Sequence, residues 1–215
     1  MPHILAPSLL SADFAELGKA VWMIEHSEAG WHHIDVMDGV FVPNISFGLP
    51  VIKSIRRLAK KPFDVHLMIV EPDKYINAFR DAGADHLTVH LEACSHLHRS
   101  IQAIKAAGMK AGVAINPHTR VDFLSDVMTD IDIVCLMSVN PGFGGQRFID
   151  RTYDKITQLV ELRSLSGSKA LIEIDGGVGP ENAGKLVATG ADVLVAGNSV
   201  FGAAAPAEAI SALSR

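Results

Sequence analysis

The sequence predicts an α/β fold, a single (β/α)8 TIM barrel running over residues 1–215, and three observations carry that reading. Short β-branched runs alternate with longer helical patterns from end to end, as βαβ units of a parallel sheet do. The runs number eight, as many as close such a barrel. A small-residue pattern recurs ahead of strands, as Glu28-Ala29-Gly30-Trp31, Asp81-Ala82-Gly83-Ala84-Asp85 and Ala188-Thr189-Gly190-Ala191-Asp192. Each reads as a helix C-cap whose glycine supplies the left-handed conformation that ends the helix.

In chain order the predicted strands are 4–6, 32–35, 63–67, 86–90, 110–115, 133–138, 170–175 and 192–196. A helical pattern follows each one, near 14–28, 49–60, 73–82, 96–107, 120–127, 152–165, 181–189 and 204–214. The glycine- and proline-rich stretches 140–146 and 175–180 are short and follow strands, so they read as βα loops rather than linkers. In a barrel the residues ending each strand face the active site, although the fold alone assigns no function.

Composition narrows the function classes. The chain has 19 basic and 24 acidic residues, a formal net charge of −5, and no basic run beyond Lys60-Lys61. That leaves no electrostatic footprint for nucleic acid or an anionic membrane. No apolar stretch approaches the ~18 residues of a membrane span. A domain of this length buries about 70% of its unfolded surface. Two cysteines, Cys94 and Cys135, are too few for a disulfide framework and read as buried free thiols, which fits a cytoplasmic setting. The N-terminus lacks a basic segment and breaks its apolar run at Pro7 and Ser8, so it reads as a first strand rather than a signal peptide.

The chemistry gathers at strand ends. Period-two alternation puts His33 and Asp35 on one face of the second strand, with Ile34 and Val36 on the other. His66 near the end of the third strand and Asp175 at the end of the seventh converge with them at the barrel mouth. Taken singly, each could be satisfying a core hydrogen bond; four on one rim favour a site. Two imidazoles and two carboxylates suit Zn²⁺ or Fe²⁺ better than Mg²⁺, which prefers oxygen ligands. Glycine-rich segments follow the last three strands: Asn140-Pro141-Gly142-Phe143-Gly144-Gly145, Asp175-Gly176-Gly177 and Gly197-Asn198-Ser199. Without a lysine or arginine among them, they would hold a phosphate through backbone amides; the plainer reading is tight turns without a ligand. Met37, Met68 and Met137 lie at or near strand ends, either as core fillers or as a polarisable cap over a planar enediolate. His86 reads as low in the barrel and His90 as a donor behind the site. His96, His98 and His118 read as surface residues, and Trp22 and Trp31 as helix and interface packing.

From residue 4 to residue 201 the chain resembles the ribulose-phosphate 3-epimerase family. The motifs are Ala6-Pro7-Ser8 with Leu10-Ser11-Ala12-Asp13-Phe14, His33-Ile34-Asp35-Val36-Met37-Asp38-Gly39, Val42-Pro43-Asn44, His66-Leu67-Met68, His90-Leu91-Glu92-Ala93, the segment 137–145, and Asp175-Gly176-Gly177. The resemblance implies the ribulose-phosphate-binding barrel architecture and a cytoplasmic isomerase of the pentose phosphate pathway or carbon fixation, interconverting D-ribulose 5-phosphate and D-xylulose 5-phosphate. It implies one divalent transition metal per chain, Zn²⁺ or Fe²⁺ with Mn²⁺ or Co²⁺ as alternatives, held by His33, Asp35, His66 and Asp175. It places substrate contacts at Ser8, His66, Gly142, Phe143, Gly144, Gly145, Asp175, Gly176, Gly177, Gly197 and Asn198. The expected partners are a small ketose phosphate and further copies of the chain, with neither nucleic acid nor membrane. Many members carry serine directly after the last glycine, where this chain has Asn198 and then Ser199.

Inverting C3 of a 2-ketose needs one base on each face of the carbon. Asp35 and Asp175 lie three strands apart around an eight-membered ring, approach from nearly opposite sides, and are the two bases expected. A sister 3-epimerase acting on a ketohexose 6-phosphate such as allulose 6-phosphate would use the same residues. Metal-free sugar-phosphate lyases on this barrel use Asp-x-Lys-x-x-Asp, whereas Asp35-Val36-Met37-Asp38 has no lysine. A non-catalytic phosphate-binding module would not need two opposed carboxylates.

Overall fold

The computed structural model describes residues 3–215, so the first two residues of the predicted 1–215 unit lie outside it. Its strands are β1 (Ile4–Pro7), β2 (His32–Met37), β3 (Phe63–Met68), β4 (His86–His90), β5 (Lys110–Ile115), β6 (Ile133–Met137), β7 (Leu171–Asp175) and β8 (Val193–Ala196). All pair in parallel, in the order β1-β8-β7-β6-β5-β4-β3-β2, and a parallel bridge between Ser8 and His33 closes the ring. This is the predicted (β/α)8 barrel.

Helices α1 (Leu17–Glu25), α2 (Leu49–Arg56), α3 (Ile76–Ala82), α4 (Leu97–Ala106), α5 (Thr152–Ser166), α6 (Ala183–Thr189), α7 (Asn198–Phe201) and α8 (Pro206–Leu213) accompany the strands. Three departures from the sequence pattern have physical causes. The helix expected over 120–127 is a single 3-10 turn, Val121–Leu124. Its buried Val121, Leu124 and Met128 keep helix-like spacing, which a 3-10 turn also satisfies, while Ser125 Oγ donates to the Asp122 carbonyl in place of continued helix. Helices α1 and α3 begin as 3-10 turns, Phe14–Glu16 and Pro72–Tyr75, and α2 stops at Arg56 rather than residue 60. Gly83 and Gly190 do cap helices with φ of 104° and 121°, but Gly30 caps nothing: α1 ends five residues earlier at Glu25, and a Cβ on Gly30 would stand 2.7 Å from Ile4 Cγ2. Its small size serves close packing under β1.

Strand alternation sorts the barrel into two cores. Ile34, Val65, Leu67, Leu87, Val89, Val113, Leu136, Ile172, Ile174 and Leu194 face outward into the layer buried beneath the helices. The inner face begins apolar at the N-terminal end, where Ala6, Trp31, Ile133, Val193 and Val195 pack together, and becomes polar toward the C-terminal end. Midway, Gly112 stands opposite Thr88 in the β4/β5 register, and a Cβ there would overlap the Thr88 hydroxyl. Both thiols are free, Cys135 buried and Cys94 half-buried. Among the described residues no helix is long and apolar enough to cross a membrane.

Gly112→Ala should therefore cost about 1–3 kcal/mol by overpacking the barrel interior. Adding Thr88→Ala should recover part of that loss, because the hydroxyl is the nearest obstacle; urea denaturation of the single and double variants measures both.

Candidate metal centre and active-site cavity

Register builds the centre. In the β2/β3 pairing His33 stands opposite Asp64 and Asp35 opposite His66, so two imidazoles and two carboxylates alternate on the inner face. Asp175 ends β7 on the far side of the cavity. The ligand atoms of His33, Asp35, His66 and Asp175 all lie within 4.8 Å of one another. His33 Nε2 is 3.3 Å from Asp35 Oδ1 and 3.7 Å from Asp175 Oδ2, while His66 Nδ1 is 3.2 Å from each of those oxygens. A tetrahedral ion with bonds of about 2.0–2.1 Å separates its ligand atoms by about 3.3 Å, so the four atoms stand at the spacing one divalent transition metal requires. His33 Nε2 is buried and has no hydrogen-bond partner among the described residues, as a nitrogen reserved for a metal would be. The residues present fit the ion.

Three of the four ligands, His33, Asp35 and His66, are oriented from behind. His33 Nδ1 donates to Asp64 Oδ2 at 2.7 Å, which leaves Nε2 to face the centre. Ser8 Oγ donates to Asp35 Oδ2 at 2.6 Å, leaving Oδ1 inward. With His66 Nδ1 facing the carboxylates, its Nε2 donates to His90 Nε2 at 2.9 Å, and His90 Nδ1 passes the bond on to Glu92 Oε2 at 3.3 Å. Glu92 in turn accepts from the Asn116 amide at 2.9 Å and from the Thr119 hydroxyl.

Charge is balanced over this network. Burial alone would lower His66, but Asp175 and Asp35 overcome it and raise the imidazole to about 9. Burial alone would raise Asp35, yet His33 and His66 hold it well below the usual carboxylate range, and Asp175 is lowered by the same two imidazoles. Beneath them, burial and the Asp64 charge push Glu173 well above its ordinary value. His33, Asp64 and Glu173 also cluster within 4.8 Å, but there the His33 Nδ1 is already committed to Asp64 Oδ2, so this lower group is the poorer donor set.

A cavity of about 210 Å³ opens above the centre. Asp35, Asp175, Ser8, Met37, Met68 and Met137 line its inner end; Gly142, Phe143, Gly144, Gly145, Gly176, Gly177, Gly197 and Asn198 line its outer end. No lysine, arginine or histidine is among its lining residues. The three methionines are buried and also line the cavity wall. His33 and His66 have no exposed surface; His66, expected also as a substrate contact, sits beneath the cavity floor. Gly177 has φ 62°, and a Cβ there would lie 2.8 Å from the Phe148 amide nitrogen, so its loop packs backbone on backbone. Asn44 Nδ2 donates to the Gly142 carbonyl at 2.8 Å, clamping the β6 loop from across the mouth.

Sequence reading missed Asp64, Glu173, Glu92 and Asn44. The period-two alternation that selects His66 and Asp175 also selects Asp64 and Glu173 two residues earlier. His86 does lie low, edge-on to Trp31 at 4.3 Å; His96, His98 and His118 are exposed; and Trp22 stacks on His26 at the surface of α1.

A parallel eight-stranded barrel with a His-Asp cluster under a loop-built cavity at its C-terminal mouth is the architecture of a barrel enzyme. Residues 4–201 match the model of the Ribulose-phosphate 3 epimerase family. The chain is 52% identical over 208 residues to the ribulose-phosphate 3-epimerase of Bacillus subtilis, covering 96% of both chains. It is 44% identical over 200 residues to that of Escherichia coli, covering 93% of this chain and 89% of the relative. The chain belongs to the ribulose-phosphate 3-epimerase family, whose named members are isomerases. Among solved structures, KGPDC from Streptococcus mutans superposes with a TM-score of 0.75 at 15% identity, covering 99% and 96% of the two chains, which is a likeness of fold.

Two outcomes follow from the His66-His90-Glu92 chain. Glu92→Gln should weaken Zn²⁺ binding about tenfold to a hundredfold, read by competition with a chelating dye. Burial raises Glu92, but His90, Thr119 and the Asn116 amide bring it down to about 2 from 4.5, and burial lowers His90 from 6.5 to about 4. A depressed acid gives its stability above its unfolded value and loses it as pH falls; a depressed base loses it over its own interval in the same direction. Wild-type stability should thus decline from pH 6.5 toward 2, and Glu92→Gln should flatten the part below 4.5 in acid denaturation curves.

Proposed function

We propose that this barrel is a metal-dependent 3-epimerase interconverting D-ribulose 5-phosphate and D-xylulose 5-phosphate by two-base proton transfer. The observation that carries the reading is the pair of ionised carboxylates, Asp35 and Asp175, facing one cavity whose other end is a glycine-lined cradle without a protein cation. The names of the relatives supply the substrate.

Taking the proton from C3, alpha to the ketone, leaves a 2,3-enediolate; returning a proton to the other face inverts the carbon. A divalent cation held by His33, Asp35, His66 and Asp175 would supply Lewis acidity toward the negative charge that develops on O2 and O3. Asp35 and Asp175 accept and return the C3 proton on opposite faces. Their surroundings differ: Ser8 fixes Asp35 by a hydrogen bond, whereas Asp175 keeps 13% of its side chain exposed to the cavity. Met37, Met68 and Met137 exclude water above the planar intermediate without offering it a competing proton. Backbone amides of the three glycine segments bind the phosphate and hold C3 between the carboxylates.

Product formed in D₂O should carry deuterium at C3. Asp35→Asn and Asp175→Asn should each lower net epimerisation by at least about 10²-fold. With metal retained, each variant should exchange the C3 hydrogen of only one epimer, and the two should select opposite epimers. Exchange of the same epimer by both, at similar rates, would mean that these aspartates do not flank the reacting carbon. Comparing kcat/KM for the pentose phosphates and a ketohexose 6-phosphate decides between the two sister reactions.

A further inference from the structure

We propose that the Ser11 hydroxyl binds the substrate's phosphate directly, as the hydroxyl donor that Ser199 of the Gly197-Asn198-Ser199 loop does not provide. The inference rests on the phosphate reading of the glycine cradle and deepens it.

Ser11 is the last residue of the 3-10 turn Leu9–Ser11 that follows β1, and Ser8 is its N-cap. Side chains three residues apart on a 3-10 turn eclipse, so Ser8 and Ser11 project from the same side, and both line the cavity. Their tasks diverge. Ser8 Oγ accepts from the Leu10 amide and donates to Asp35, and is fully engaged at the reacting end. Ser11 Oγ has no hydrogen-bond partner among the described residues. It stands 2.5 Å from where a Cβ on Gly197 would be and 3.4 Å from where one on Gly144 would be, in the gap between the loops after β6 and β8.

Two further observations direct this free hydroxyl to an anion. With no cationic side chain on the cavity wall, a phosphate must be held by neutral donors, and each unspent donor counts. Ser199 is not one of them, because its hydroxyl donates to the Val178 carbonyl at 2.7 Å. A rise of about 2.0 Å per residue sets Ser8 and Ser11 about 6 Å apart along the turn. One short turn thus reaches both ends of a pentulose phosphate, the reacting carbon through Asp35 and the phosphate through Ser11.

The test uses the full chain loaded with Zn²⁺, inorganic phosphate as a competitive inhibitor, and D-ribulose beside its 5-phosphate. In Ser11→Ala the inhibition constant for phosphate should rise about tenfold or more, and the ratio of kcat/KM for the phosphorylated over the unphosphorylated sugar should fall by a similar factor. Ser11→Asp, which sets a negative charge against the anion, should abolish inhibition by phosphate while its melting temperature shows that the barrel still folds. An unchanged inhibition constant in Ser11→Ala, or an equal loss on both sugars, would overturn the assignment. A wild-type protein that neither prefers the phosphorylated sugar nor is inhibited by phosphate would overturn the cradle reading itself, and this inference with it.

Discussion

The hydrogen bond between His33 and Asp64, 2.7 Å long with neither side chain exposed, is the contact from which the rest of the site is set. An imidazole has two nitrogens, and committing Nδ1 to Asp64 obliges Nε2 to point at Asp35 and Asp175. Without Asp64 the buried ring would lose the partner that orients it and leave a polar nitrogen unpaired. The bond exists because β2 and β3 pair with His33 directly opposite Asp64. A slip of β2 by one residue would turn His33 and Asp35 outward against the helices and bring Ile34 into the barrel. Apolar packing on the outer face therefore protects the chemistry on the inner one.

That arrangement places several ionisable groups where isolated charges are costly. They persist because opposite charges alternate with depth. Asp35 and Asp175 form the upper level, His33 and His66 lie against them, and Asp64 ionises below His33. Glu173, beside the Asp64 charge, is pushed well above the usual carboxylate range. Deeper positions are filled by Ile133, Val193 and Trp31, with His86 edge-on to Trp31 and 3.9 Å from Asp64. The barrel thus holds a polar upper half on an apolar foundation.

Much of this was legible in the sequence, for reasons that particular residues make plain. All eight strands could be read because short apolar, β-branched runs recur between helical patterns, and period-two alternation in the second put His33 with Asp35 on the inner face. Helix ends were less legible: Gly83 and Gly30 follow nearly the same local pattern, yet one caps a helix and the other makes room for Ile4, a difference set by tertiary contact alone. The turn at Val121–Leu124 shares its buried spacing with a helix, so periodicity could not separate them. The network behind the ligands was hidden for another reason. His66, His90 and Glu92 come from two strand ends, and Glu92 is held by Asn116 and Thr119 after a third, so the chain exists only once register has joined them.

The two ends of the cavity are built from different materials, and the proposed reaction gives that division a purpose. The reacting end sits on strands, where pleat and register fix the side chains; the outer end sits on glycine-rich loops without a lysine or arginine. A lysine or arginine in those loops would grip substrate, intermediate and product phosphates alike, since the phosphate does not change during epimerisation. Such uniform binding lowers KM without lowering the barrier between bound states. In the proposed reaction, neutral donors would hold the dianion in place, and Asp35 and Asp175 would act at the carbon centre, where charge appears and vanishes as the proton moves. The absence of a cation from the cradle is thus consistent with the concentration of six ionisable groups, His33, Asp35, Asp64, His66, Glu173 and Asp175, beneath the opposite end of the same cavity.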